Sequence, residues 1–373
     1  MSKRIDYNNE NKPITANQAT IAPNAAPAVV KTSTGMSLTY KIIAIVLIVL
    51  AVLAIALLIV NLIVNSYVNK INTPHYEDVE IKLDYGLSGK GVYSDGYKEQ
   101  ADFKDAANSI LYNYAEASHA ITENENVYNF AIYGINKFAK DDNGTASFIA
   151  VASFNKETKK TTYAIFEEDV LVYIPMTKEI GLVRDAYAWG GAPLLTKTLK
   201  HNFGIEIDGY IELDMSVAAE LFDSKGGIAV QASKTDINNA IKAYNERFDQ
   251  KVATVSENNA TLNGYQAVAY LRAQNDTSAF VTQISKAIFG KGLGGLMKSF
   301  KILSSGANLS LQRDDLIDVA LMANSVLKRA EPAVQRVGAT GKVHIWHDGT
   351  GAYAINCEAE RIALLNALYG AEK

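Results

Sequence analysis

Cysteine is almost absent: the 373-residue chain has only Cys357, so no internal disulfide framework and no multi-cysteine zinc or iron–sulfur site can be built from it. An excess of cations is absent too, since 36 Lys plus Arg stand against 40 Asp plus Glu for a formal charge of −4. A protein that holds a polyanionic backbone by counterion release needs the opposite balance, and this excludes a general nucleic-acid binder. Arginine is missing altogether from residues 140 to 183, so that stretch offers no guanidinium to a phosphate.

What the sequence does contain is one long apolar run. Ile42 to Val60 is six Ile, four Val, five Leu and four Ala, and no Asp, Glu, Lys or Arg follows until Lys70. At about 1.5 Å per residue it makes a helix near 28 Å, roughly one hydrocarbon core, with no polar stripe to face a globular interior. It is expected to cross a membrane once, within a segment spanning residues 41 to 68. Lys3, Arg4, Lys12, Lys31 and Lys41 precede it, whereas His75, Glu77, Asp78 and Glu80 follow. The positive-inside rule then places the N-terminus in the cytoplasm and everything after the span outside it. A cleaved signal peptide has a shorter apolar region behind a short basic head, so an uncleaved signal anchor is the expectation.

Residues 1 to 40, rich in Asn, Ala, Thr and Pro without an apolar period, read as a disordered tail. Residues 69 to 125 read as a stalk or accessory segment, because Phe103, Ala106, Ile110, Leu111, Tyr114 and Ala117 recur at helical spacing. From 126 onward strands and helices alternate. Val127 to Tyr133 and Ala146 to Phe154 are expected as strands, with two more between Lys159 and Val172. Pro193 to Asn202 is expected as a helix closed by Gly204. Further strands are placed at Ile211 to Leu213 and Gly227 to Gln231, and further helices at Ser216 to Asp223, Asp236 to Arg247, Gly264 to Leu271 and Val281 to Phe289. A hairpin of Lys342 to His347 with Ala352 to Asn356 leads to a last helix, Glu358 to Tyr369. Such alternation predicts an α/β sandwich with helices on both faces of the sheet.

Three motifs in series carry a resemblance. Asp185-Ala-Tyr-Ala-Trp-Gly-Gly191 is followed by Phe203-Gly-Ile-Glu-Ile-Asp-Gly-Tyr-Ile-Glu-Leu-Asp214; then come Glu220-Leu-Phe-Asp-Ser-Lys-Gly-Gly-Ile-Ala-Val230 and Leu262-Asn-Gly-Tyr-Gln-Ala-Val-Ala-Tyr-Leu-Arg272. In order and spacing they resemble the LytR-CpsA-Psr family of membrane-anchored bacterial envelope proteins, apart from a longer insert at about 233 to 258. The resemblance covers roughly residues 126 to 373. It implies a three-layer α/β/α sandwich with a central mixed sheet. It also implies a place in cell-wall biogenesis, with an undecaprenyl pyrophosphate carrier, a glycopolymer or peptidoglycan, and the membrane as partners. In active members a magnesium ion holds the pyrophosphate over a buried polyprenyl chain.

Set against the family pattern, this chain is short of cations. Thr145-Ala-Ser-Phe148 stands where an arginine and aspartate motif is expected, and Glu167-Glu168-Asp169 stands where an arginine precedes an aspartate. Leu182 falls on a lysine position, Gln274 on the second of an arginine pair, and Ala279 to Lys286 on a run that carries two arginines. Asp169 and Arg272 match, as a candidate metal and catalytic aspartate and a candidate catalytic arginine; Arg184 is a candidate ligand-binding substitute. Each also has a structural reading: Asp169 as a strand end, Arg272 as a helix-terminal cation, Arg184 as a surface residue. Two functions follow: a catalytically degenerate member that binds polyprenyl lipid or acts as a scaffold, or an active phosphotransferase requiring Mg2+.

The other candidates are weaker. His344 and His347 lie three apart on an expected strand and so face opposite sides, which argues against a shared metal. Gly290-Lys-Gly-Leu-Gly-Gly295 lacks the Lys that a P-loop places after its last glycine, and is expected to be a flexible loop. Cys357 is expected to be an inert buried thiol.

Overall fold

A computed structural model describes residues 121–136, 144–177, 179–273, 278–289, 292–311, 332–339, 343–347 and 350–370, with isolated positions between 62 and 81. All of these belong to one compact unit, Leu58–Lys373. The expected tail, most of the expected span and the stalk lie outside the described residues. No helix among the described residues is long and apolar enough to cross a membrane.

Strands β1 (Val127–Asn136), β2 (Thr145–Asn155), β3 (Thr161–Phe166), β6 (Gly209–Asp214), β9 (Ala307–Leu309) and β10 (Ala333–Val337) form one mixed sheet in the order β10-β3-β2-β1-β6-β9. Pairing is parallel for β1 with β6 and for β10 with β3, and antiparallel for the other neighbours, so β1, β3, β6 and β10 end at a common edge. Strand residues alternate between two apolar layers, as the period of two demands. Ala131, Tyr133, Ile149, Val151 and Phe166 face helices α1 (Val183–Phe203) and α7 (Cys357–Tyr369) together with the small hairpin of β4 (Leu171–Ile174) and β5 (Glu179–Leu182). Ala150, Ala152, Phe154, Tyr163 and Ile165 face α2 (Met215–Ser224), α3 (Lys234–Phe248), α4 (Gly264–Ala273) and α5 (Ser278–Phe289). The expected mixed sheet with helices on both faces is therefore present.

The Asn155 to Lys160 turn joins β2 to β3 as expected, with the Asn155 side-chain oxygen accepting from the backbone N–H groups of Glu157 and Thr158. Helix α1 begins ten residues before the expected Pro193 but is broken at Gly190 and Gly191, the latter at φ 66°. Pro193 then opens the second half, where a missing N–H costs nothing, and Gly204 at φ 63° closes it with its N–H donated to Lys200.

Three expectations need correction. The strand at Gly227 to Gln231 shrinks to β7 (Ile228–Ala229), paired with β8 (Thr261–Leu262). The glycine-rich loop is instead largely the start of helix α6 (Gly292–Gly306), whose Leu296, Phe300 and Leu303 recur at helical spacing. Buried Lys225 at the end of α2 anchors that helix, its Nζ reaching the Gly295 carbonyl at 2.7 Å and Ser299 Oγ at 2.6 Å. Strand β10 had no counterpart in the sequence reading. The last hairpin, β11 (Val343–His347) with β12 (Thr350–Ala354), lies where expected, and Cys357 is buried.

Candidate headgroup and lipid site

Helices α2, α4, α5 and α6 do not close fully on the sheet. Between them lies a cavity of about 240 Å³, lined on the sheet side by Phe130, Ile132, Phe148, Ala150, Ala152 and Ile211 and on the helix side by Leu221, Val268, Leu271, Ile284, Ile288 and Leu303. Nearly all the lining side chains are aliphatic or aromatic, which makes the space suited to a hydrocarbon chain and poor for water. The polar side chains in the wall are partnered, Tyr163 with Ser285 at 2.6 Å and Ser299 with Lys225, and burial raises the Tyr163 phenol to about 12.

Beside Leu271 the character changes abruptly. The turn after β3 holds Glu167, Glu168 and Asp169 at the common strand edge, and four arginines from four elements close on it. Arg184, in the first turn of α1, pairs with Asp169. Arg247, in the last turn of α3, reaches Glu168 at 2.6 Å and Asp169 at 3.9 Å. Arg272, in the last turn of α4, reaches Glu168 at 3.4 Å. Arg336 of β10 pairs with Glu167. Crevices at the carboxyl ends of parallel strands are the usual ligand position of open α/β sheets.

Arg272 is the most confined of the four. Its side chain is 2% exposed, and the Phe248 ring covers its guanidinium face at 4.2 Å. Glu168 engages only one of its terminal nitrogens, and both Nε and Nη1 are buried without a hydrogen-bond partner. Burial, with Arg247 nearby, pulls its pKa down to about 10, and burial likewise pushes Glu168 above the usual carboxylate range against the pull of Arg272 and Arg247. Unpaired buried donors are uncommon and point to a missing acceptor. Arg184, Arg247 and Arg272 face Glu168 and Asp169, with Asp185 4.0 Å behind Arg184, so the cluster is close to balanced in charge and what it offers an anionic ligand is the unpaired donors of Arg272.

The three candidates Asp169, Arg184 and Arg272 are thus brought into one cluster. Arg184 is corrected from a surface residue to a largely buried ion-pair partner, 15% exposed. The apparent poverty of arginine is corrected too: Arg247 comes from the insert at 233 to 258 and Arg336 from the unexpected strand, positions that no family motif marks. Glu168, which replaces a cation in the motif, meets cations brought from elsewhere.

A magnesium ion at Asp169 fits this arrangement poorly. Mg2+ takes about six oxygens at roughly 2.0–2.1 Å, with one or two free carboxylates as its protein ligands. Here Asp169 is held by Arg184 with Arg247 alongside, and both oxygens of Glu168 face guanidinium groups. Among the described residues no three His, Cys, Asp or Glu side chains lie where they can share a metal ion.

Comparison with known proteins places this geometry in context. The family model described as LytR_cpsA_psr family matches residues 90–280, just over half of the 373-residue chain. Biofilm regulatory protein A of Streptococcus mutans is 31% identical over 139 residues, 36% of this chain and 33% of that protein. The polyisoprenyl-teichoic acid–peptidoglycan teichoic acid transferase TagU of Enterococcus faecalis is 29% identical over 131 residues, 35% of this chain and 39% of that protein. The chain therefore spans only a third to two-fifths of the length of these two relatives. A solved structure from Streptococcus agalactiae shares the fold with a TM-score of 0.53 at 18% identity, covering 66% of this chain and 89% of that one.

Proposed function

The chain belongs to the LytR_cpsA_psr family, and from that premise we propose that it binds a polyprenyl-linked phosphate or pyrophosphate of the bacterial cell envelope. The hydrocarbon enters the apolar cavity and the head group lies at the arginine cluster. One observation carries the reading: an apolar cavity with Leu271 in its wall, followed on the same helix by Arg272, which holds two buried N–H groups without an acceptor.

Each part has a physical role. The cavity excludes water from the first isoprene units and contributes about 25 cal/mol per Å² of apolar surface removed from water. Phe248 fixes the plane of Arg272, so its unpaired Nε and Nη1 hydrogens point in set directions within that plane, each toward its own acceptor oxygen. Arg184 and Arg247 hold the acids that would otherwise repel the ligand. The relative TagU is named for the transfer of teichoic acid from a polyisoprenyl carrier to peptidoglycan, which supports a carrier of this class. We place the protein outside the cytoplasm on a single span, Ile42 to Val60, with its N-terminus inside and glycopolymer or peptidoglycan as its neighbours.

Binding without transfer is favoured, because Glu167, Glu168 and Asp169 are each committed to an arginine through at least one oxygen and serve first as ion-pair partners, not as a free general base. Transfer of glycopolymer phosphate to an acceptor is the second reading, favoured by the three guanidinium groups that converge where phosphate charge would develop.

Calorimetry on the full chain in detergent micelles tests the first reading, comparing geranylgeranyl pyrophosphate with geranylgeraniol. Stronger binding of the pyrophosphate, with the difference lost in Arg272→Gln, is expected. Equal binding of the two sinks the headgroup site. Release of glycopolymer from a polyprenyl pyrophosphate donor to peptidoglycan, abolished by Arg272→Gln, would establish the second reading in place of binding alone.

A further inference from the structure

The acids at the strand edge are already neutralised by the protein itself, and that bears on what the head group brings with it. Arg247 faces Glu168 at 2.6 Å and Asp169 at 3.9 Å, Arg272 faces the other oxygen of Glu168, and Arg184 holds Asp169. A dication placed among these groups would lie within a few ångströms of three guanidinium groups. The Asp169 oxygen outside these ion pairs would be a single carboxylate ligand flanked by Arg184 and Arg247, fewer oxygens and more positive charge than a magnesium site requires. An anion meets the reverse situation. Arg272 offers two buried donors with no acceptor, and Arg247, 46% exposed, stands at the solvent side of the same carboxylate.

From this geometry we infer that the head group is bound without a divalent cation, the guanidinium of Arg247 supplying the charge that a magnesium ion would otherwise carry. The inference deepens the proposed lipid binding and rests on it. It assigns Arg247 as a ligand-binding residue and gives a purpose to the insert from 233 to 258. Helix α3 within that insert is capped at Ser233, whose hydroxyl accepts the Asp236 N–H, and closes at Asp249 in the left-handed region, so Arg247 is delivered from a well-terminated helix. Asn238 and Asn245 bind the returning chain at Val255 and Val252, which fixes the insert on itself. The ligand class that follows is a polyprenyl pyrophosphate with its charge unscreened by metal, in preference to its magnesium complex.

The test is a titration of the full chain in micelles with geranylgeranyl pyrophosphate, in EDTA and again in millimolar Mg2+, for the natural protein, Arg247→Gln and Arg247→Ala. Dissociation constants for the natural protein should agree within about twofold in the two buffers, and either substitution should weaken binding in EDTA by about tenfold or more, the loss of one charge-assisted contact. Added Mg2+ should recover part of that loss. Tighter binding of the natural protein in Mg2+ by about tenfold or more overturns the inference while leaving the lipid site intact. Unchanged binding in EDTA by both variants, each folded by its thermal transition, also overturns it. Failure to bind in either buffer removes the lipid-binding reading itself, and the inference with it.

Discussion

Glu168 holds Arg272 by one terminal nitrogen at 3.4 Å, while the Nε and Nη1 of the same guanidinium remain buried and unpaired. The carboxylate therefore steadies the cation and also competes with any phosphate that approaches it. Removing the charge and keeping the shape separates these roles. Glu168→Gln should tighten pyrophosphate binding by roughly tenfold, since a unit repulsion at about 5 Å is worth on the order of 3 kcal/mol at an effective dielectric near 20, before screening. The same change should lower stability by about 1–3 kcal/mol, as two ion pairs give way to one hydrogen bond on the amide oxygen and the second arginine loses its acceptor. Calorimetry and urea unfolding measure the two effects; weaker binding in Glu168→Gln would make the carboxylate a ligand holder instead of a competitor.

The cavity can be tested apart from the charges. Ile284 lies on α5 and its side chain forms part of the wall. Ile284→Trp should fill space that is now empty, holding stability constant or raising it by up to about 1 kcal/mol. Affinity for geranylgeranyl pyrophosphate should fall by about tenfold or more, the equivalent of fewer than two methylene groups of lost burial. Inorganic pyrophosphate should bind as before. A parallel loss for both ligands would mean that the tryptophan disturbs the arginines and not the chain pocket.

Most of the sheet was legible because its strands carry their own signal. Val127 to Tyr133 and Ala146 to Phe154 alternate in a way that survives as the two faces of the sheet, and the observed β1 and β2 extend them by only a few residues. Where local signals conflict, reading fails. Gly190 and Gly191, where the helix does break, hide the helical half that precedes them, and the glycines from 290 to 295 hide the start of α6, where packing outweighs low helix propensity. The site divides in the same manner. Asp169, Arg184 and Arg272 could be picked out near motifs, but Arg272 meets Glu168 across 104 residues. Arg247 and Arg336 sit at positions no motif marks. Counting charges along motif positions made the site look empty, whereas the fold refills it from an insert and an edge strand.

Gly204 tests how the second half of α1 is held. It lies at φ 63°, donates its N–H to Lys200, and accepts the Thr122 N–H at 2.8 Å. Gly204→Ala should destabilise the protein by about 1 kcal/mol through the left-handed backbone alone. Gly204→Asn, which tolerates that region better, should lose less. Paired chemical denaturation curves with equal m-values would confirm a local origin; equal losses in both variants would place the cause elsewhere.

Asp185 gives the protein a dependence on pH that does not involve the ligand. The carboxyl group is 4% exposed, accepts the Leu182 N–H at 3.1 Å, and lies 4.0 Å from Arg184. Burial outweighs both contacts and pushes its pKa from 3.8 to about 7. For an acid raised in the folded state, the folded form binds the extra proton between the two values. Its contribution is therefore most favourable below about pH 4, declines as pH rises through the interval, and is fully unfavourable above pH 7. Over that range the loss is on the order of 4 kcal/mol. Asp185→Asn keeps an oxygen for the Leu182 N–H and removes the ionisation, so it should match the natural protein near pH 4 and exceed its stability at pH 8. Thermal unfolding at both pH values decides it: an Asn variant less stable at pH 8 would show that the Arg184 pair outweighs burial and that the charged carboxylate is the form the fold favours.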